Sequence, residues 1–300
     1  MLTQEQVQRF YRDGFLNAGR ILDDEQLAEL SSDLDRVIAK GPDGFADDEA
    51  RPVSFRDLNA AGDGVTATPV WQIVNIWEAA ASFERLVYHP AIVTGISQLT
   101  GFGDLQVWHD QVQYKPAAIG GATGWHQDAP AWPTLEPMTQ VSAWLPFDDA
   151  DLDNGCMWMV PGSWRWGNQR EYFASRPQQE RPRRLEEFVR IGEAFTPPGA
   201  HRPEQIQARP CPVRRGEVHF HHALTWHGSP ANASPRRRRA VAIHYMTGAA
   251  RYTGDGQHLM ERFLDLQPGD PMAEAGPHFP IVCRGGIPVE PAPQVPGAAL

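Results

Sequence analysis

Short β-type runs dominate the chain from Leu105 onward. The runs are rich in Val, Ile, Trp and Met, and Gly, Pro and Asp residues separate them. Runs spaced in this way favour an antiparallel sandwich or jelly roll over βαβ units. The best strand candidates are residues 105–108, 110–116, 140–147, 156–160, 213–220 and 240–246.

The first hundred residues have a helical pattern instead. Residues 3–40 place apolar side chains at helical spacing, and Thr3 with Gln6 fits a capping box. Residues 82–100 predict a helix interrupted at His89-Pro90. Between these two segments we expect a loop over 41–64 and a strand or short helix over 70–77.

These patterns together predict a mainly β protein with flanking helices. We expect a single domain over 1–283, with a helical part over about 1–100 and a jelly-roll core over about 105–250. The segment 164–209 is rich in Arg, Glu and Pro and predicts a lid-like insertion, while 284–300 predicts an extended or disordered tail.

Composition excludes several classes of protein. There is no run of about 18 apolar residues, and the N-terminus lacks the pattern of a signal peptide. Cys156, Cys211 and Cys283 fit neither a disulfide framework nor a Cys-rich zinc site. The net charge of −10 argues against a nucleic-acid or anionic-membrane partner. We therefore expect a cytoplasmic protein, and the sequence leaves its oligomeric state open.

A histidine and an aspartate stand two residues apart at His126 and Asp128. In an extended strand these side chains point to the same face, so they can reach one metal ion together. The histidine-rich run 216–229 supplies His227 as a third ligand. Two histidines and one carboxylate form the facial triad of non-haem Fe(II) sites, which leaves positions open for other ligands.

One arginine near this run is expected to point inward. Arg238 follows His227 by eleven residues and lies in the run 236–239, directly before the apolar residues 240–243. Strand alternation places Arg238 on the face of Ala240 and Ala242, and its neighbours on the other face. A guanidinium on an inner face needs an anion, and a carboxylate is its usual bidentate partner.

Four motifs, in this order, resemble the phytanoyl-CoA dioxygenase (PhyH-like) family of Fe(II)/2-oxoglutarate oxygenases, which includes ectoine hydroxylases. The resemblance covers about residues 71–246. The motifs are Trp125-His126-Gln127-Asp128, the stretch 154–163, His227-Gly228-Ser229 with Asn232, and Arg238-Arg239-Ala240.

The resemblance implies a double-stranded β-helix, a cupin-like jelly roll, with Fe(II) bound by His126, Asp128 and His227. It also implies that Arg238, helped by Ser229, holds the distal carboxylate of 2-oxoglutarate. Further candidates for co-substrate binding are Trp144, Gln111, Gln113, Lys115 and, more weakly, Gln72. Candidates for the substrate pocket are Gln127, Trp132 and His109.

Other conspicuous residues have simpler interpretations. His221 and His222 are interpreted as structural because the triad is complete without them. Met157, Trp158 and Met159 are interpreted as core, because sandwich strands bury large apolar side chains. Cys156 is interpreted as a small buried residue.

The function implied by the resemblance is a dioxygenase that uses O2 and 2-oxoglutarate, releases succinate and CO2, and hydroxylates an unactivated C–H bond of a small-molecule metabolite. Asp128 favours hydroxylation, since related halogenases replace this carboxylate with a small residue. Two alternatives stay open: a non-catalytic jelly-roll protein that binds a metal or ligand, and a zinc hydrolase with the same triad. The hydrolase would have no use for Arg238, and the substrate itself is not indicated by any motif.

Overall fold

The structure of the protein is a computed structural model that describes residues 1–60, 66–175, 182–192, 207–256 and 258–291. For residues 189–192 it describes the backbone alone. The helices are α1 (Gln4–Asp13), α2 (Asp24–Lys40), α3 (Ala81–Val87), α4 (Pro90–Thr100), α5 (Arg170–Ala174) and α6 (Leu185–Gly192). Among these residues, no helix is both long enough and apolar enough to cross a membrane.

The strands pair in antiparallel fashion. They are β1 (Phe15–Arg20), β2 (Ser54–Asp57), β3 (Trp71–Val74), β4 (Leu105–Lys115), β5 (Thr123–His126), β6 (Leu135–Glu136), β7 (Val141–Pro146), β8 (Met157–Met159), β9 (Arg209–Cys211), β10 (Glu217–His222), β11 (His227–Ser229), β12 (Arg238–Thr247), β13 (Arg251–Tyr252), β14 (Ile281–Arg284) and β15 (Ile287–Pro288).

The N-terminal helices begin and end where local chemistry requires. In α1 the side chain of Thr3 accepts a hydrogen bond from the Gln6 backbone, and the Gln6 side chain accepts one from the Thr3 backbone. Gly14 ends the helix with a φ of 85°, which glycine adopts without strain. Pro90 occupies the first turn of α4, so the predicted interruption between two helices at His89-Pro90 is confirmed.

The major sheet has the strand order β1-β10-β7-β12-β4-β14-β15, and β3 joins β4 on its other flank, followed by β2. One face of this sheet is apolar: Val112, Val241 and Ile243 share a buried cluster with residues of α1 to α4. We call this the outer face. The inner face carries the alternate residues, among them Gln111 and Ala242, which stand opposite each other in the register of β4 and β12.

The minor sheet has the order β5-β11-β8-β9 and packs against the inner face. Met157 and Met159 of β8 share a buried cluster with Trp144, Ala240 and Ala242 of the major sheet. The predicted mainly β jelly roll with flanking helices is therefore confirmed, and Met157 and Met159 lie in the core as expected.

Three predictions about the first part of the chain were wrong. The helix over 3–40 is broken by β1, because Leu16 joins the core and the segment pairs with β10. The loop over 41–64 contains β2, which pairs with β3; residues 61–65 of it lie outside the described residues. The two strands over 105–108 and 110–116 are one continuous strand, β4, because β12 pairs along its whole length.

The segments expected to form an insertion and a tail contain regular structure. Within 164–209, α5 and α6 are present, and Phe188 stacks on Trp125 with ring centroids 4.6 Å apart; residues 176–181 and 193–206 lie outside the described residues. In the segment predicted as a tail, Ile287–Pro288 form the extended strand β15, which pairs with β14. Residues 292–300 lie outside the described part.

Candidate metal centre

His126, Asp128 and His227 meet between the two sheets. His126 ends β5, His227 begins β11, and the two residues are direct partners in the antiparallel register. Their rings lie 4.2 Å apart between centroids. Asp128 reaches the same point differently from the prediction: the strand ends at His126, and Asp128 has helical backbone angles with its amide bonded to the Ala223 carbonyl at 3.0 Å.

The three side chains present one free ligand atom each. The Nδ1 atoms of His126 and His227 donate to the carbonyl oxygens of Gly124 at 2.7 Å and Thr225 at 2.9 Å, which leaves both Nε2 atoms as lone-pair donors. Asp128 Oδ1 lies 3.6 Å from Nε2 of His126 and 3.7 Å from Nε2 of His227. Within the described chain this is the only such group of three whose ligand atoms lie within 4.8 Å of one another.

The second oxygen of Asp128 is held by residues of the major sheet. His221 Nε2 donates to Asp128 Oδ2 at 3.2 Å, and Ser142 Oγ donates to the same oxygen at 3.4 Å. Ser142 is held in turn by His244 Nδ1 at 2.6 Å. These contacts orient the carboxylate so that Oδ1 faces the two histidines.

The electrostatics of the three residues suit a cation. Burial, reinforced by the neighbouring His126, lowers the pKa of His227 to about 3, so its imidazole is neutral at physiological pH. Burial acts to raise the pKa of Asp128, but the neighbouring imidazoles of His227, His126 and His221 outweigh it, so the pKa lies well below its usual range. An ionised carboxylate and neutral imidazole nitrogens are the donor set that a divalent transition metal needs.

A cavity adjoins these residues on the inner face of the major sheet. The structure brings several of the predicted co-substrate residues to it: the side chains that line it include Gln111, Gln113, Trp144 and Ser229. Gln72 lies behind Gln111 and donates a hydrogen bond to its Oε1.

Arg238 is buried near this cavity without a partner. It is 1% exposed, and none of its three guanidinium nitrogens has a hydrogen-bond partner in the part of the chain that the structure describes. Burial lowers its pKa to about 10, so the side chain remains charged near neutral pH. Its Cζ lies 5.6 Å from the centroid of the Trp144 ring. A buried charge in this state requires an anionic ligand.

The other arginines of the same run all have carboxylate partners. Arg236 pairs with Asp151 at 2.8 Å, Arg237 with Asp35 at 3.2 Å, and Arg239 with Asp148 at 2.9 Å. The inward direction predicted for Arg238 by strand alternation is therefore confirmed. Arg239 is buried as well, but on the opposite face and with its charge paired.

Lys115 is a second buried cation beside Arg238. Its Nζ donates to Ser229 Oγ at 2.6 Å, to Ser229 O at 3.2 Å and to Pro230 O at 2.7 Å. Burial and the charge of Arg238 lower the pKa of Lys115 well below its usual range. All of its donors are used to hold the end of β11, which positions Ser229 at the cavity.

The three residues predicted for the substrate pocket lie outside this cavity. Gln127 donates to the carbonyls of Gly167 and Leu224 and accepts from the Gln169 amide, so its amide group ties loops together. His109 contacts Trp132 and His244 in a cluster of rings, with centroids 5.9 Å and 4.6 Å from that of His109. None of these three candidates lines the cavity described above.

Sequence reasoning missed His221 and Ser142. His221 was interpreted as structural, yet it holds a carboxylate of the site. A signal existed: in β10, Val218 and Phe220 belong to the outer-face core, so alternation turns His219 and His221 inward. His222 is structural as expected, since its Nδ1 accepts from the Leu224 amide at 3.1 Å.

The sequence of the chain is similar to those of known proteins. The sequence model of the phytanoyl-CoA dioxygenase (PhyH) family matches residues 10–240. Phytanoyl-CoA dioxygenase domain-containing protein 1 of Bos taurus is 26% identical over 277 residues, which cover 83% of this chain and 91% of the relative.

Solved structures show the same fold. The non-haem α-ketoglutarate-dependent carbocyclase SnoK from nogalamycin biosynthesis superposes with a TM-score of 0.70 at 25% identity, covering 93% of this chain and 96% of SnoK. The epimerase SnoN, solved with Fe3+, α-ketoglutarate and nogalamycin RO, superposes with a TM-score of 0.63 at 23% identity, covering 93% and 97%.

A jelly roll with two histidines and one carboxylate between its sheets defines the class of non-haem iron oxygenases. Within this class, the chain belongs to the phytanoyl-CoA dioxygenase (PhyH) family, and it is an Fe(II)/2-oxoglutarate-dependent oxygenase. The predicted family, enzyme class and cofactors are therefore confirmed.

Proposed function

We propose that the protein hydroxylates an unactivated C–H bond of a small-molecule metabolite, consuming O2 and 2-oxoglutarate and releasing succinate and CO2. The observation that carries this proposal is the buried and unpaired guanidinium of Arg238 next to Trp144, which lines the same cavity as the converging two-histidine, one-carboxylate group. A ligand that has both a metal-binding end and a distal carboxylate satisfies both features at once.

The residues fit the metal and the co-substrate. His126, Asp128 and His227 would hold Fe(II), and Arg238 would hold the distal carboxylate of 2-oxoglutarate by a bidentate contact. Bound Fe(II) supplies the redox chemistry by which O2 is activated as 2-oxoglutarate is decarboxylated.

Residues of the chain orient the metal ligands, position Ser229 and shield the co-substrate from water. His221 and Ser142 keep Asp128 from rotating, because they hold its second oxygen. Lys115 fixes the backbone that carries Ser229 at the cavity. Trp144 and Ala242 form apolar walls there, which exclude water from the co-substrate.

Asp128 supports hydroxylation as the outcome. A carboxylate at this position would bind the metal where a halogenase would bind chloride, so transfer of a halogen is disfavoured. SnoK is named a carbocyclase and SnoN an epimerase, although both are α-ketoglutarate dependent. The type of oxidation is therefore tested separately from the binding of the co-substrate.

The test is oxygen-dependent formation of succinate. Protein loaded with Fe(II) and supplied with 2-oxoglutarate should form succinate slowly without substrate and faster when a screened metabolite is hydroxylated, with mass spectrometry showing a product heavier by one oxygen atom. The zinc-loaded protein and the Asp128→Ala variant are the controls. Hydrolysis of an ester or amide by the zinc-loaded protein, without succinate from the iron-loaded protein, would favour the hydrolase. Metal binding with neither activity would favour the non-catalytic alternative.

A further inference from the structure

A row of polar side chains crosses the inner face of the major sheet toward its edge. In the register of the strands, Gln113 of β4 stands opposite Gln72 of β3, and Gln72 stands opposite Arg56 of β2. Within the described part of the chain, β2 pairs with β3 alone, so Arg56 lies on an edge strand. The row thus runs from the cavity to the rim of the sheet.

Hydrogen bonds connect this row to the cavity. Arg56 Nε donates to Gln72 Oε1 at 3.0 Å, and Gln72 Nε2 donates to Gln111 Oε1. Gln111 and Gln113 line the cavity that also contains the triad. The two amides therefore orient the Arg56 guanidinium relative to the candidate metal centre.

The terminal nitrogens of Arg56 are available to a ligand. In the described residues, Nη1 and Nη2 have no hydrogen-bond partner, and no carboxylate forms an ion pair with this side chain. The residue is exposed, so that a small molecule can reach it. Burial nevertheless lowers the pKa of the guanidinium, because its charged end lies partly among protein atoms.

The neighbouring side chains do not neutralise this charge. Phe55, on the opposite face of β2, packs against the outer-face core. The Asp57 carboxylate is occupied by the backbone amides of Asn59, Thr66 and Val70. Burial, His109 and the Arg56 charge lower the pKa of His258 well below the usual range, so His258 does not neutralise the guanidinium either. The rim thus presents a cation held in place, with no acidic partner for it among the described residues.

Building on the proposed function, we infer that Arg56 binds an anionic group of the substrate, a carboxylate or a phosphate, at the rim while the carbon to be oxidised lies at the triad. Adjacent strands are about 4.8 Å apart, so Arg56 is about 10 Å from β4, which lines the cavity. The substrate is therefore an acid in which a chain or ring system separates the anion from the reacting carbon.

Inorganic phosphate is the first probe, and calorimetric titration of the metal-free full chain measures its binding. Arg238→Ala serves as the background, because that substitution removes the unpaired buried cation near the triad. In this background Arg56→Gln should weaken phosphate binding about tenfold, the effect expected for loss of a charge-assisted contact. Arg262→Gln is the matched control, since Arg262 is also exposed and bonds to the Val53 carbonyl beside β2. It should change binding less than about twofold, as a surface charge does.

Octanoate and octanamide form the second pair of probes, because they have nearly the same length and shape and differ in charge. Octanoate should displace phosphate from the Arg262→Gln control and should not detectably bind the Arg56→Gln variant. Octanamide should displace phosphate from neither variant. Phosphate binding that is unchanged by Arg56→Gln, or displacement by octanamide as strong as by octanoate, would overturn the assignment.

These measurements need no metal and no turnover, so they separate the two proposals. If Arg56 governs anion binding but iron-loaded protein forms no succinate, the anion site stands and the oxidation proposal fails. If succinate forms but Arg56→Gln leaves anion binding unchanged, the oxidation proposal stands and Arg56 has no role in recognising the substrate.

Discussion

The outer and inner faces of the major sheet carry opposite chemistry on the same strands. On β12, Val241 and Ile243 face outward into the apolar cluster under the helices. On the same strand, Arg238 and His244 face inward, and both are buried with nitrogen atoms that lack partners in the described chain. Alternate residues of one strand therefore separate stability from function: the outer face secures the fold, and the inner face accepts unsatisfied polar groups that a ligand can satisfy.

The largest effect is expected from the carboxylate of Asp128, which lies between the two sheets. Asp128→Ala removes the only acidic member of the triad, so we expect loss of bound Fe(II) and of detectable succinate formation, while the melting temperature of the metal-free protein changes little. Metal analysis, succinate assays and thermal unfolding check this. Asp151→Ala, which removes a surface carboxylate, is the control. Full turnover by Asp128→Ala would remove this residue from the metal centre.

Arg238→Ala should separate co-substrate binding from stability. Loss of a buried bidentate partner costs about 2–5 kcal/mol, so the 2-oxoglutarate requirement should rise by more than tenfold. Stability without ligand should stay level or increase, because an unpaired buried charge is removed. Steady-state kinetics and denaturant titration measure the two quantities. Arg236→Ala is the matched control, and an equal effect of both variants would indicate a diffuse basic patch instead.

Ile243→Ala tests the outer face of the same strand. Ile243 is fully buried, and truncation of such a side chain destabilises a protein by about 2–5 kcal/mol. We expect this loss in the free energy of unfolding, with the KM for 2-oxoglutarate unchanged for the fraction that is folded. A variant with normal stability and an altered KM would show that the two faces are not separate in function.

His221→Ala should have the smallest effect. The side chain orients Asp128 without being one of the triad, and loss of such a contact lowers metal affinity about 10–100-fold. Titration with Fe(II) under anaerobic conditions measures this change. His222→Ala is the neighbouring control, because His222 bonds to the Leu224 amide and not to Asp128. Equal metal affinity in wild type and His221→Ala would mean that Ser142 alone suffices to hold the carboxylate.

Periodicity predicted the inner-face residues better than it predicted the elements. Alternation along residues 238–243 was enough to turn Arg238 inward, because a strand with a continuous apolar core face leaves no other register. By contrast, β1 was predicted as part of a helix. Its six residues lie between two helices with strong caps, and its strand conformation depends on pairing with β10, about 200 residues further along the chain.

The geometry around Asp128 could not be read from spacing alone. His126 and Asp128 were expected to share a strand face, but the chain turns after His126 and brings Asp128 back by a hydrogen bond to the Ala223 carbonyl. The contact of His221 with Asp128 depends on which oxygen of the carboxylate faces the histidines. Both features are decided by tertiary packing; alternation along β10 indicates only that His221 points inward, not which carboxylate oxygen it contacts.

The most direct test of the central claim is the anaerobic visible spectrum of the protein with Fe(II) and 2-oxoglutarate. If the triad holds iron and Arg238, on the inner face, holds 2-oxoglutarate, the wild-type protein should develop a weak charge-transfer band on addition of 2-oxoglutarate. The band should need far more 2-oxoglutarate in Arg238→Ala and should be absent in Asp128→Ala. Iron bound to folded wild-type protein without any band, at saturating 2-oxoglutarate, would contradict the account.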